Sequence, residues 1–190
     1  MLFRSAIEGF EDLDSTKVGR VAERICRANR IHFSSWKVLK DLDLKYDTSR
    51  DMDFELNGKI LKVEFKGDNY PRGNNLAFEI KQESMKGMMV PSGIATSSAS
   101  EWDIYCFRTD TIYTFDIPRI DDIVYNNTVR EYHYKLCNLN SSTGKTLCIV
   151  IDIDLLLAEG FFKSVHKNVL SSLDKLGVSR HDLGIEGLEK

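Results

Sequence analysis

Asp51, Asp53, Glu64 and Lys66 fall close together in this chain, and Glu23 lies upstream of them. Carboxylates brought together from adjacent strands are the hard oxygen donors that Mg²⁺ takes while keeping places for water and phosphate. A divalent cation beside a phosphodiester neutralises it, generates a hydroxide nucleophile and stabilises the leaving oxygen. A lysine two residues after a carboxylate shares its strand face. There it can orient the attacking water or stabilise charge on the scissile phosphate. The carbonyl of Phe65 is a further oxygen at the same place. These residue types suit metal-dependent phosphodiester hydrolysis.

The element that must position them reads as a β-hairpin. Met52, Phe54 and Leu56 alternate with Asp51, Asp53 and Glu55, and Leu61, Val63 and Phe65 alternate with Lys62, Glu64 and Lys66. Period-two alternation is the strand signal. Asn57-Gly58 between them is the favoured pair for a two-residue type I′ turn. That turn pairs Leu56 with Lys59, sets Asp53 opposite Lys62 and sets Asp51 opposite Glu64. Asp53 and Glu64 then become diagonal neighbours roughly 7–8 Å apart. Asp53 and Glu64 are accordingly the expected metal ligands, with Lys66 on the water and Asp51 as the competitor for the place of Asp53. Cross-strand charge pairs also arise on ordinary hairpins, where each contributes about 0.2–1 kcal/mol. Asp51 facing Glu64 is repulsive without a cation, which favours the metal reading.

Upstream, Val18, Val21, Ala22, Ile25 and Cys26 recur at the spacing of one buried helix face. Ser15 or Thr16 can cap the start of this helix. Glu23 lies beside the buried face, and Gly19 sits one turn before it on the same side. A mid-helix glycine costs up to about 1 kcal/mol against alanine, so close approach of another segment or a ligand is expected there. Arg20, Arg24, Arg27 and Arg30 form a basic stripe, either a solvated face or a surface that tracks phosphates.

Downstream, residues 31–40 suggest a strand or a short helix, and residues 41–50 a loop. Leu76–Ile80 reads as a third strand, with Glu79 of open role among its apolar residues; 81–93 reads as a loop and 94–101 as the start of a short helix. Trp102–Phe107 and Thr111–Phe115 read as strands around an Arg108–Asp110 turn. The segment 119–137 begins as a helix, Leu147–Ile153 is a buried strand, and Leu155–Gly160 and Val165–Leu176 are helices, the second closed by Gly177. The tail after Arg180 reads as loose. This is a mixed α/β pattern without regular βαβ alternation.

The chain has 190 residues, 42% hydrophobic and 29% charged, enough for one domain with a sizeable core. The net charge of -3 gives no global sign of nucleic-acid binding, although a local basic surface suffices for that. Neither a signal peptide nor a membrane span is legible, so a cytoplasmic setting is expected. Cys26, Cys106, Cys137 and Cys148 are scattered among apolar residues and read as reduced core thiols.

With Asp53-Phe54, the Asn57-Gly58 turn and Val63-Glu64-Phe65-Lys66-Gly67 in place, the sequence resembles the PD-(D/E)xK nuclease superfamily, the restriction-endonuclease-like fold. Met52 stands where the motif's proline is expected. Gly19 and Glu23 resemble the resolvase branch, in which a helical Glu following a Gly faces the metal. The runs Asn74–Glu79, Ser92-Gly93-Ile94 and Ser98-Ala99 resemble phage-type members. The resemblance spans residues 15–110. It implies an α/β fold with a central mixed sheet flanked by helices, Mg²⁺ dependence with Mn²⁺ as a substitute, and a DNA substrate. It also implies a supporting catalytic role for Glu23 beside Asp53, Glu64 and Lys66. Members often dimerise so that two sites reach two strands, so a homodimer is an implied partner, and a phage or viral origin fits. Residues 1–190 are read as one nuclease-like domain whose 119–190 extension matches no motif. The rival reading is a nuclease-fold protein that binds or assembles on DNA without cutting.

Overall fold

The computed structural model describes residues 15–41, 51–68, 74–84, 86–117, 119, 133–137 and 145–186. Helix α1 (Ser15–Phe33) buries Val18, Val21, Ala22, Ile25 and Cys26, the face set by their spacing. Strands β1 (Lys37–Asp41), β2 (Met52–Leu56) and β3 (Lys59–Asp68) pair antiparallel in succession. Asn57 and Gly58 join β2 to β3 with φ of 51° and 77°, the positive pair that a type I′ turn requires. The register follows: Leu56 opposes Lys59, Asp53 opposes Lys62 and Met52 opposes Val63.

Beyond the hairpin come β4 (Asn75–Glu83), β5 (Met89–Pro91), β6 (Glu101–Cys106) and β7 (Thr111–Asp116). Then follow β8 (His133–Cys137), β9 (Thr146–Asp152), α2 (Ile153–Ala158), β10 (Phe162–Lys167), α3 (Val169–Lys175) and α4 (Arg180–Leu183). They build two sheets, one of six strands in the order β1-β2-β3-β6-β7-β10 and one of four in the order β5-β4-β9-β8. The six-stranded sheet is mixed because β3 and β6 run parallel while its other pairs are antiparallel.

Each face of that central sheet has its own core, as strand alternation dictates. On one face Met52, Phe54, Leu61, Val63, Phe65, Tyr105 and Ile112 pack with α1 and with Val169, Leu170, Leu173, Leu183 and Ile185 of the C-terminal helical segment. On the other, Trp102, Ile104, Tyr113 and Phe115 meet Leu76, Phe78, Ile149 and Ile151 of the four-stranded sheet, with Ile153 and Leu156 of α2. The expected central mixed sheet is present. Helices α1, α3 and α4 cover one face, and a second sheet joins α2 over the other.

Three local expectations change. The helix expected over Val165–Leu176 is a strand to Lys167, paired with β7, and a helix only from Val169. Its end is as expected: the N–H of Gly177 (φ 78°) donates to Asp174, and that of Val178 to Leu173. The tail expected to be loose after Arg180 is ordered through residue 186, since Ser179 caps α4 and Leu183 and Ile185 are buried, and 187–190 lie outside the described residues. The loop expected over 81–93 contains the end of β4 and all of β5. Residues 133–137 are a strand; Ile117 and Arg119 are helical, and the rest of the helix expected there lies outside the described residues, as do the lead-in 1–14, most of the 41–50 loop and residues 69–73.

Candidate active site

Asp51 stands at the mouth of the hairpin, where β2 leaves the ladder. Its N–H donates to the Val63 carbonyl at 2.9 Å, and its carboxylate accepts the Phe65 N–H at 2.5 Å. A side chain thus replaces a backbone ladder partner and draws the Asp51 carboxylate onto the middle of β3. On that strand Glu64 is buried, with Oε1 paired to the Lys66 ammonium and Oε2 accepting from the Ser97 hydroxyl. Lys66 also lies 5.6 Å from the ring centroid of Trp102, within cation–π range.

Glu23 joins them because α1 packs unusually close to β3. A Cβ on Gly67 would stand 2.6 Å from Cβ of Ala22, so only glycine admits the helix at this distance. Close approach is therefore found at Gly67; at Gly19 a Cβ would meet nothing within 4 Å, so none of the described segments makes the approach there. Oε2 of Glu23 is buried and has no hydrogen-bond partner among the described residues.

Electrostatics tie the four side chains together. Burial, and next the charge of Asp51, push the Glu23 carboxyl up from 4.5 to about 7; Glu64 adds to this, while Lys66 and Arg20 oppose it. For Lys66, burial works against the charge, yet Glu64 with its hydrogen bond, Asp51 and Glu23 outweigh it and hold the ammonium above the ordinary lysine value. Asp51 and Glu64 both act on Glu23 and on Lys66, Asp51 more strongly on Glu23 and Glu64 more strongly on Lys66. Asp53 is buried one step further along β2, opposite Lys62 on β3 and Lys40 on β1. The hairpin register makes it the diagonal neighbour of Glu64 on the same face.

The donors are hard oxygens, and one buried oxygen is unpartnered, which is chemistry that suits Mg²⁺ or Mn²⁺. Among the described residues, no three His, Cys, Asp or Glu side chains already stand as a metal-holding group. Asp51 is engaged with the Phe65 N–H and Glu64 with Lys66 and Ser97, so the carboxylates point at these partners rather than at one common centre.

The arginine stripe divides. Arg20, Arg24 and Arg27 are exposed on α1, with the Arg24 guanidinium lying against Gly184. Arg30 turns inward, with Nη2 2.8 Å from Glu101 and 2.7 Å from Asp103. Thr114 donates to Asp103, and Lys163 pairs with Glu101. Burial opposes the charge of Arg30, but Asp103 and Glu101 raise its pKa above the ordinary value. Arg30 is therefore a tie between α1 and the central sheet. Glu79, whose role was open, binds the Ser92 hydroxyl beneath the turn at Gly93. Ser97 and Trp102, both beside Glu64, were not singled out from the sequence, and only their spacing to a distant strand would have revealed them. Cys26, Cys106 and Cys148 are buried thiols outside any disulfide.

Among the described residues, no helix is long and apolar enough to cross a membrane. No protein-family model matches the chain, and no curated protein matches it. Among solved structures, the bacterial homing endonuclease I-Ssp6803I is similar over 88% of this chain and 99% of its own, at 16% identity and a TM-score of 0.45. A likeness at that level transfers no residue roles.

Proposed function

We propose that the chain is a metal-dependent nuclease that hydrolyses phosphodiester bonds in DNA. The observation that carries this reading is the gathering of Glu23, Asp51, Glu64 and Lys66 at the hairpin mouth, with the Glu23 carboxyl lifted to about 7 and its Oε2 buried without a partner among the described residues. Carboxylates crowded in this way repel one another unless a cation joins them. Glu64 and Asp51 would hold Mg²⁺, with Mn²⁺ as a substitute. Asp51 is favoured over the diagonal Asp53 by its action on both Glu23 and Lys66. When bound, the cation would neutralise the phosphate and supply a hydroxide nucleophile.

The protein's own groups do the rest. Lys66, held protonated, is no base at neutral pH; its ammonium donates to the attacking water or to a phosphate oxygen. Glu23 adds charge to the metal side of the site once ionised. The exposed Arg20, Arg24 and Arg27 run along α1 beside it, and Arg20 is near enough to act on the Glu23 carboxyl. This stripe suits the phosphate backbone flanking the cut.

The test is incubation of purified protein with plasmid, linear and branched DNA in Mg²⁺ or in chelator, beside Glu64→Ala and Lys66→Ala. Chelator-sensitive cleavage, lost in both variants, is expected. Cleavage that persists in both would sink the assignment. One observation favours the second reading, a DNA-binding or assembly module that does not cut: the Lys66 ammonium already neutralises Glu64. DNA binding without any uptake of Mg²⁺ or Mn²⁺ at millimolar concentration would support that module instead.

A further inference from the structure

Ser97 lies between two buried groups, and its hydrogen bonds have a direction. Its hydroxyl oxygen accepts the indole N–H of Trp102 at 3.1 Å and the backbone N–H of Ala99 at 3.2 Å. A serine hydroxyl carries one hydrogen and two acceptor positions. With two N–H donors on its oxygen, the hydrogen is left for Oε2 of Glu64, which it contacts. The chain of donation therefore runs from Trp102 to Ser97 to Glu64. A serine that served only to satisfy the indole would need neither the second donor nor the alignment on a buried carboxylate.

The surrounding segment is built to hold this hydroxyl in place. Gly93, at φ 57°, passes so close to the Glu79 carbonyl that a Cβ would stand 2.4 Å from its oxygen. The N–H groups of Thr96 and Ser97 both donate to the Gly93 carbonyl, at 3.1 and 3.0 Å. Beyond Ser97, the Ser100 N–H donates to the Lys62 carbonyl at 2.8 Å, and the Lys62 N–H donates to the Ser100 hydroxyl at 3.1 Å. Ser97 is thus fastened at both ends, to β4 and to β3 two residues before Glu64. Trp102 is buried in the core between the two sheets, and parallel pairing sets it beside Glu64.

We propose that Ser97 is a positioning residue of this site: its hydroxyl, oriented by Trp102 and Ala99, holds Oε2 of Glu64 and so fixes the carboxylate, with Oε1 on Lys66, as the group that would take a divalent cation. This rests on the reading of Glu64 as a metal ligand. A hydrogen bond to an ionised carboxylate is roughly twice as strong as one between neutral groups. Loss of such an outer partner of a ligand weakens metal binding by about 10–100-fold.

The experiment is calorimetric titration of Mn²⁺ and Mg²⁺ into the full chain, as wild type, Ser97→Ala, Ser97→Thr and Trp102→Phe, with melting of the metal-free proteins alongside. Ser97→Ala is expected to raise Kd about tenfold or more. Ser97→Thr keeps the hydroxyl and restores tight binding. Trp102→Phe keeps a ring but deletes the N–H, and raises Kd by less than Ser97→Ala. Unchanged affinity in a folded Ser97→Ala overturns the proposal, and if that variant does not fold, unchanged affinity in Trp102→Phe does so. Metal binding by wild type that is insensitive to Ser97 refutes the positioning role and leaves the nuclease reading standing. Failure of wild type to bind either metal refutes both.

Discussion

Gly67→Ala tests the geometry that brings Glu23 to the hairpin. The added Cβ would lie 2.6 Å from Cβ of Ala22, 3.3 Å from Cε2 of Phe107 and 3.6 Å from the Val18 carbonyl oxygen. Carbon atoms pack at about 3.5–4.0 Å, so α1 must retreat by about 1 Å. Forcing a methyl into a packed core costs about 1–3 kcal/mol. At about 2–4 °C per kcal/mol for a chain of this size, melting should fall by roughly 2–12 °C. The retreat also carries Glu23 away from Asp51 and Lys66, and a displacement of that size near a reacting centre can cost about 100-fold in rate. DNA cleavage should therefore fall by more than the fraction of protein unfolded explains. Ala22→Gly removes the colliding carbon, and the double variant should recover part of the lost stability despite the helix cost of about 1 kcal/mol for the new glycine. An unchanged melting temperature in Gly67→Ala, or a double variant no more stable than the single, would refute the close packing of α1 on β3.

The Glu23 carboxyl has a folded value of about 7 against 4.5 for the free side chain, so the folded state holds its proton more tightly. In metal-free protein, its contribution should be fully present below pH 4.5 and be lost as pH rises towards 7. After discounting for partial exposure, Glu23→Gln should be more stable than wild type at pH 8 by about 1–2 kcal/mol and equal to it at pH 4, by urea unfolding; no pH dependence in the difference would count against the burial of this carboxyl. Arg30→Ala leaves the buried Asp103 without its cation, with the Thr114 hydroxyl beside it, while Glu101 keeps Lys163, and should cost about 3–5 kcal/mol by the same measurement; a loss under 1 kcal/mol would show the tie to be solvated. Arg20→Ala with Arg24→Ala should lower the salt dependence of DNA affinity, by about one unit of slope for each phosphate no longer neutralised. An unaltered slope, measured by anisotropy in chelator, would remove the α1 stripe from the DNA surface.

The hairpin was legible because everything that sets it is local. Alternation names the two strands, Asn57-Gly58 names the turn, and the turn fixes which residue faces which. Helix α1 was legible for the same reason, since Val18 to Cys26 mark its buried face. The misread elements depend on distant partners. The strand β10 has a weak alternation of its own and exists because β7 offers it an edge. The segment after Arg180 looks polar, yet Leu183 and Ile185 find the core beneath α1. Arg30 fits a basic stripe by spacing, and only the arrival of Glu101 and Asp103 behind it turns it inward. Gly19 and Gly67 show the same limit, because which glycine admits a neighbour depends on where the neighbour lies. At the site, the register placed both Asp51 and Asp53 near Glu64, and the sequence reading takes Asp53 as the ligand with Asp51 as its competitor. What favours Asp51 is its charge acting on both Glu23 and Lys66, a feature that alternation alone does not carry.

That choice supplies the most direct measurement: the single-turnover rate of DNA cleavage in Mg²⁺ by wild type, Asp51→Asn and Asp53→Asn. Cleavage by wild type should be abolished by chelator, fall about 100-fold or more in Asp51→Asn, and survive within about tenfold in Asp53→Asn. A wild-type protein that leaves DNA intact, or cleavage that survives in Asp51→Asn and is lost in Asp53→Asn, would contradict the site as described.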